Sequence, residues 1–174
     1  MSAIDLIVLG MIKEKPQSAY ELQKNVEYRN ISKWVKVSTS AIYKKVVQLE
    51  EKGYIHGELI KDGNMPEKAV YHITENGDSY FISLMKQLSQ RMVNVFLEFN
   101  SVIINLEMVN EPDKKGLIDN IESEINQYKN AVIEIEKERD DIPLTGKTIL
   151  KQQVLLSQAL SEWVVDFKQL YLGE

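Results

Sequence analysis

A basic segment with neighbouring hydroxyl groups is the part of this sequence best suited to chemistry. Residues 24–45 contain six basic side chains and one acidic side chain, Glu27, although the whole chain carries a net charge of −5. Ser38, Thr39 and Ser40 lie near the end of this segment. A charge acts over only about 10 Å at physiological ionic strength, so a local cluster matters more than the total. Ammonium groups beside hydroxyls predict a phosphate-binding surface.

The sequence lacks the residue patterns of an enzyme. It has no cysteine, and we find no glycine-rich phosphate loop and no histidine-centred constellation. His56 and His72 have no acidic cluster nearby, as a metal site would require. We therefore predict no enzymatic activity, no metal and no cofactor. The N-terminus lacks the basic start and cleavage site of a signal peptide, and no apolar run spans a bilayer. A cytoplasmic protein without a membrane partner is expected.

The hydroxyl groups precede a predicted helix, SAIYKKVVQLEEKGYI, at residues 40–55. Ile42, Val46 and Leu49 follow helical spacing and form one apolar stripe. Tyr43 and Lys44 project from the other side, so they are candidates for contact with a partner. Ser38 and Ser40 are predicted N-caps, and Gly53 is predicted to end the helix in a left-handed conformation.

Local signals on both sides of this helix define its neighbours. Ser18 and Glu21 have capping-box spacing and predict a helix that begins near residue 19. Two strand-like runs, GYIHGELI and AVYHIT, flank a polar segment at 61–68 and predict a β-hairpin. Thr74 is then the predicted cap of another helix.

Three helices, a hairpin and a further helix follow the order of a winged helix-turn-helix domain, whose third helix enters the major groove of DNA. We predict a mainly α protein with a small β-hairpin wing. Residues 1–80 would form the winged helix-turn-helix DNA-binding domain, and residues 81–174 a helical dimerisation domain. The residues predicted to contact double-stranded DNA are Lys24, Lys33, Lys36, Ser38, Thr39, Ser40, Tyr43, Lys44, Lys61 and Lys68.

The C-terminal half is predicted to consist of long helices. Residues 80–108 contain no helix breaker, although Arg91 in their middle is a candidate for a turn or a charge that faces a partner. Two further helices follow on either side of IPLTG at 142–146. The last helix carries an apolar stripe at spacings typical of coiled-coil packing. The first helix of the chain is apolar on almost every side and should be buried on more than one. The residues predicted for dimerisation are Ile4, Ile7, Val8, Met11, Leu156, Leu160, Trp163, Phe167 and Leu170.

Three stretches of the sequence resemble the motifs of the PadR family of bacterial transcriptional regulators. They are SAYEL at 18–22, IYKKVVQLEEKGYI at 42–55 and MPEKAVYHITENG at 65–77. The matching positions are Tyr20, Leu22, Tyr43, Leu49, Glu50, Gly53, Pro66, Lys68, Tyr71, Thr74 and Gly77. Three positions depart from the motifs: Lys44 replaces a proline, Gln48 replaces a basic residue, and Met65 replaces the arginine at the wing tip.

The resemblance implies a homodimeric repressor that binds a palindromic operator and is released by a small-molecule effector. It also implies that the C-terminal helices grip the N-terminal helix of the partner. Trp163 is the predicted effector contact, because it lies in the dimerisation region, where helix spacing can be coupled to DNA binding. A second hypothesis is a winged-helix adaptor that binds another protein and not DNA. The basic cluster at residues 24–45 favours DNA.

Overall fold

The structure is a computed structural model that describes residues 3–61, 67–139 and 141–173. The chain divides into two compact units, Met1–Val93 and Asn94–Glu174. The boundary predicted at residue 80 therefore falls within the first unit, inside a helix that spans Glu75–Ser89. That helix packs against the first helix of the chain, which explains why it belongs to the N-terminal unit.

The first unit has the predicted winged helix-turn-helix order. Its elements are α1 (Ala3–Glu14), α2 (Ala19–Tyr28), a 3₁₀ turn (Ile31–Lys33), α3 (Ala41–Glu51), β1 (Ile55–Ile60), β2 (Lys68–Ile73) and α4 (Glu75–Ser89). The two strands are antiparallel, with Ile55 opposite Ile73 and Ile60 opposite Lys68. The predicted fold class is confirmed. Met65 and Pro66, which belong to the predicted wing motif, lie outside the described residues.

Several element boundaries follow from local chemistry that the sequence predicts. The Ser18 hydroxyl accepts from the Glu21 amide at 3.3 Å, and the Ser18 amide donates to the Glu21 carboxylate at 2.7 Å, which completes a capping box. Gly53 follows α3 with a φ of 70°, a left-handed value that glycine adopts without strain. The Thr74 hydroxyl caps α4 by accepting from the amide of Gly77 at 3.0 Å.

The core of the first unit corrects part of the dimerisation prediction. Val8 is 0 % exposed, Met11 4 % and Ile4 8 %, and all three pack within the core of their own unit. They cannot offer surface to a partner, because α1 already contacts α2, α3, α4 and β2 on the faces that carry them. Ile7 differs, since it stays partly exposed at the edge of this core.

The second unit is built on an antiparallel pair of long helices. Its elements are α5 (Asn100–Ile103), a 3₁₀ turn (Leu106–Met108), α6 (Glu111–Glu138) and α7 (Leu144–Leu172). The Lys168 ammonium lies 2.9 Å from the Asp119 carboxylate and 2.7 Å from that of Glu122, so the end of α7 lies beside the start of α6. No helix in the described residues is long and apolar enough to cross a membrane.

The helical stretch expected at residues 80–108 is interrupted at Arg91, the candidate turn position. α4 ends at Ser89, and residues 91–99 form no regular helix or strand before α5 begins. Met92, Val93 and Phe96 are more than four-fifths exposed. A helix in water draws most of its stability from the packing of one apolar face, and residues 91–96 are all exposed. Phe99, at the end of the segment, is half-buried and stacks on Trp163.

The buried face of α7 is rotated relative to the predicted apolar stripe. Its buried positions are Leu150, Val154, Ser157, Val164 and Phe167. Within the predicted stripe, Phe167 is buried and Leu160 and Trp163 are half-buried, whereas Leu156 and Leu170 are exposed. The predicted set therefore divides between the core of this unit and its surface.

Candidate DNA-binding surface

Helix α3 has the predicted orientation. Ile42, Val46 and Leu49 are each at most 1 % exposed and fix the helix to the core. Tyr43 is 47 % exposed, and Lys44 is exposed beside it. The side chains that could contact DNA therefore lie on the face opposite the anchor, as a recognition helix requires.

The N-terminus of α3 is not capped by a side chain, which corrects the prediction for Ser38 and Ser40. The two hydroxyls bond to each other at 2.7 Å, and Ser40 makes no side-chain capping bond. The amides of Ala41 and Ile42 donate to the backbone carbonyls of Ser38 and Thr39 instead, in tight turns. Because α3 has no acidic residue in its first turn, the positive end of its dipole is not neutralised there. This end of the helix is suited to a phosphate.

The predicted phosphate-binding lysines fall into two groups. Lys33, Lys36, Lys44 and Lys61 are exposed, and within the described part of the chain none of them forms an ion pair. Lys24 and Lys68 already have acidic partners, Glu27 at 3.1 Å and Glu21 at 3.0 Å. The unpaired lysines can bind phosphate directly, whereas Lys24 and Lys68 would first have to exchange a carboxylate for it.

Lys45 belongs to the basic segment in sequence but not to the exposed surface. Its ammonium lies 2.7 Å from the Asp5 carboxylate of α1, and its side chain is only 17 % exposed. The sequence pattern did not predict this pairing. Two signals were available: Asp5 is the one charged residue among the first ten positions of α1, and Lys45 lies three residues after Ile42, on the anchored side of α3.

Glu21 joins the start of α2 to the wing. It accepts from the Ser18 amide and hydroxyl and pairs with Lys68 at the start of β2. The pKa of Glu21 is lowered from 4.5 to about 2. The largest cause is the hydrogen bond from the Ser18 amide, and smaller contributions come from the Ser18 hydroxyl and from Lys68. Because the carboxylate of Glu21 is favoured in the folded state, it stabilises the fold at pH values above 4.5, its pKa in the unfolded chain. This contribution is lost as the pH falls towards 2.

The wing is attached to α3 and carries the histidine pair. The Glu50 carboxylate at the end of α3 accepts from the Gly57 amide of β1 at 2.9 Å. His56 and His72 are directly opposite in the ladder, and their rings stack with centroids 5.2 Å apart. In the described residues no group of three or more histidine or acidic side chains is placed to hold a metal ion. The wing thus positions Lys61 and Lys68 at the two strand ends next to the tip.

The second unit places Trp163 in a row of aromatic rings. Its ring stacks on Phe99 with centroids 5.5 Å apart and on Phe167 at 5.1 Å, with interplanar angles of 18° and 15°. Phe167 also contacts Tyr171 at 4.8 Å. Trp163 is half-buried and lies between Phe99 and Phe167 in this row.

Comparison with known proteins identifies the class of this fold. Residues 19–92 match the family model described as a winged helix DNA-binding domain. The N-terminal unit therefore has the winged-helix fold that this family model describes. None of the curated proteins matches the chain in sequence.

Over nearly its whole length, the chain has the fold of PadR and PadR-like transcriptional regulators. Bacillus subtilis PadR in complex with operator DNA superimposes with a TM-score of 0.77 and 15% identity, covering 94% of this chain and 96% of that one. The same protein with p-coumaric acid gives a TM-score of 0.76 and 13% identity, over 94% and 95%. A PadR-like transcriptional regulator from Bacillus cereus gives 0.66 and 22%, over 93% and 91%. The predicted resemblance is confirmed at the level of fold.

Proposed function

We propose that this protein is a cytoplasmic transcriptional repressor that binds a palindromic operator as a homodimer and leaves it when an effector binds. The observation that carries the proposal is the exposed side of α3, where Tyr43, Lys44 and the uncapped N-terminus stand opposite the buried anchor residues. Hydroxyl, phenol and ammonium groups can donate to base edges and phosphates in the major groove.

The unpaired lysines and the residues at the start of α3 are proposed to contact different parts of the DNA. Lys33 and Lys36 precede α3, Lys44 lies on it, and Lys61 follows β1. These four would neutralise phosphates on both sides of the groove, while Ser38, Thr39, Ser40 and Tyr43 face the bases. Lys24 and Lys68 would contribute less, because each gives up an ion pair on binding.

Replacing Tyr43 by alanine tests this orientation of α3. We expect operator affinity to fall by about 1–3 kcal/mol if the phenol contacts a base or phosphate. The melting temperature should hardly change, because Tyr43 lies outside the core. Affinity is measured by titrating the region upstream of its own gene, with a shuffled sequence of equal length as the control.

Each contrary result of that titration points to a different error. Unchanged operator affinity in Tyr43→Ala would mean that α3 meets DNA through another face. If the unaltered protein binds the upstream region no better than the shuffled sequence, the repressor proposal fails and the adaptor hypothesis gains support.

Dimerisation is proposed through the second unit. Leu156 and Leu170 of the predicted stripe are 42 % and 84 % exposed, and Leu155, next to Leu156, is 54 % exposed. Apolar surface of this kind on one chain is a candidate for burial by a second copy. A two-fold dimer would present two α3 helices to major grooves about 34 Å apart, as a palindromic operator needs.

The proposed effector is a planar aromatic molecule that binds at the aromatic row around Trp163. Two observations support it: the aromatic row around Trp163, and the complex of Bacillus subtilis PadR with p-coumaric acid. Binding at this row would alter the packing of α7. A ligand shifts DNA affinity only if it contacts the DNA-bound and free conformations differently.

Tryptophan fluorescence separates the two sites where an effector could bind. The chain has two tryptophans, so Trp34→Phe leaves Trp163 as the sole indole and Trp163→Phe leaves Trp34. With p-coumaric acid as the probe, we expect quenching in Trp34→Phe and little change in Trp163→Phe. The reverse pattern would move the effector site to the DNA-binding unit.

A further inference from the structure

One buried carboxylate connects three helices of the first unit. Asp5 of α1 is 5 % exposed. One of its oxygens, Oδ1, lies 2.7 Å from Nζ of Lys45 on α3, and the other, Oδ2, accepts from the hydroxyl of Tyr80 on α4 at 3.3 Å. The carboxylate therefore contacts the helix that carries Tyr43 and Lys44 and, through its second oxygen, the last helix of this unit.

We propose that Asp5 is a positioning residue for DNA binding, which sets the rotation of α3 by holding Lys45 on its inner side. This inference rests on the proposed function, since the exposed side of α3 has to meet DNA for its rotation to matter. Lys45 directly follows Lys44 in the helix, so the inward pull on one side chain fixes the outward direction of the next.

The physical strength of this contact comes from burial. A carboxylate with so little exposure cannot exchange its partner for water, so loss of the ammonium would leave an uncompensated charge in the core. The contact between Oδ1 and Lys45 lacks the geometry of a hydrogen bond. Coulomb attraction therefore holds the pair together, and it is strengthened by the apolar surroundings.

Tyr80 holds the other side of the carboxylate. Its ring stacks on Tyr54, just after α3, with centroids 4.3 Å apart and an interplanar angle of 13°. Burial raises the pKa of the Tyr80 phenol, and the charge of Asp5 raises it further, so the phenol remains a donor at neutral pH. By contrast, Lys13 and Asp78 also join α1 to α4, but both are nearly half exposed. The exposed pair of Lys13 and Asp78 therefore serves as a control for the buried pair of Asp5 and Lys45.

The main test is Asp5→Asn, which keeps the shape of the side chain and removes its charge. We expect operator affinity to fall about tenfold, because the exposed side of α3 would no longer be held in the orientation that DNA binding needs. The log-log salt slope of operator binding should stay unchanged, because Lys45 contacts no phosphate. Lys44→Met is the neighbouring control, and it should reduce the slope by about 0.9 for each phosphate that is no longer neutralised. Lys13→Gln should leave both affinity and slope unchanged.

Amide hydrogen exchange on the full chain provides a measurement that does not depend on DNA. Asp5→Asn should accelerate exchange in α3 more than in α6, which lies in the other unit. The double variant Asp5→Asn/Lys45→Met removes both charges, so it remains informative if the single variant folds poorly. It should fold like the unaltered protein and still bind the operator weakly with an unchanged salt slope.

The outcomes separate this inference from the proposed function. Operator affinity within about twofold of the unaltered protein, with unchanged exchange in α3, would refute the role of Asp5. A salt slope that falls in the double variant would also refute it, since Lys45 would then be a phosphate contact. If the unaltered protein binds no operator but Asp5→Asn still accelerates exchange in α3, the proposed function fails and takes the DNA-binding role of Asp5 with it, and only the structural contact between Asp5 and α3 stands.

Discussion

Replacing Leu156 and Leu170 by glutamate together is expected to produce monomers and to weaken operator binding by roughly 10² to 10⁴-fold. Both side chains are exposed on α7 in a single chain, so the substitutions should not disturb its fold. In a dimer, each glutamate would be buried without a partner, at a cost of several kcal/mol. Loss of the dimer removes the linked second half-site, which accounts for the size of the effect. Sedimentation and operator titration measure the two results.

Gln169→Glu is the matched control for this experiment. It places the same charge next to Leu170 at an exposed polar position, and we expect an intact dimer with full affinity. A double leucine variant that sediments as a dimer would show that subunits associate through another surface.

Truncation after Gly146 tests the second unit more severely. It deletes nearly all of α7, including Val154, Val164 and Phe167, and so exposes the apolar face of α6. The truncated chain should be monomeric or poorly soluble and should lose operator binding. An intact truncated dimer with full DNA affinity would contradict the proposed architecture.

Substitution of Gly77 by alanine is expected to destabilise the first unit by about 3 kcal/mol or to prevent it from folding. A Cβ atom at this position would lie 1.9 Å from the backbone oxygen of Tyr54. Neither side can move easily, because the Thr74 amide donates to that same oxygen at 3.1 Å and the Thr74 hydroxyl donates to the carbonyl of Gly53 at 2.7 Å. Denaturant unfolding followed by circular dichroism measures the loss.

Gly116→Ala makes the same chemical change, but we expect it to increase the free energy of unfolding. Gly116 lies within α6, and outside the backbone of that helix no described atom comes within 4 Å of the position that an alanine methyl group would occupy. Alanine there should stabilise the protein by about 0.5–1 kcal/mol, because glycine loses more backbone entropy in a helix. Equal unfolding free energies for Gly77→Ala and the unaltered chain would mean that α4 does not approach Tyr54 so closely.

The sequence by itself determined those features that depend on neighbours in the chain. The capping box of Ser18 and Glu21, the left-handed Gly53 and the Thr74 cap all involve residues within a few positions of each other. The hairpin and the apolar stripe of α3 follow from periodicities of two and about 3.6 residues. These signals were sufficient for the winged-helix order and for the inward and outward sides of α3.

Only the tertiary structure decided which apolar and charged groups share an environment. Helical periodicity places Lys45 on the anchored side of α3, three residues after Ile42, and Lys44 on the other side, but only the tertiary structure shows that Lys45 pairs with Asp5 of α1. The same is true of Val8, which an all-round apolar helix could equally have offered to a partner subunit. Periodicity gives the face of a helix, but burial depends on which other elements contact that face. Long-range packing therefore determined the division between the core and the binding surface.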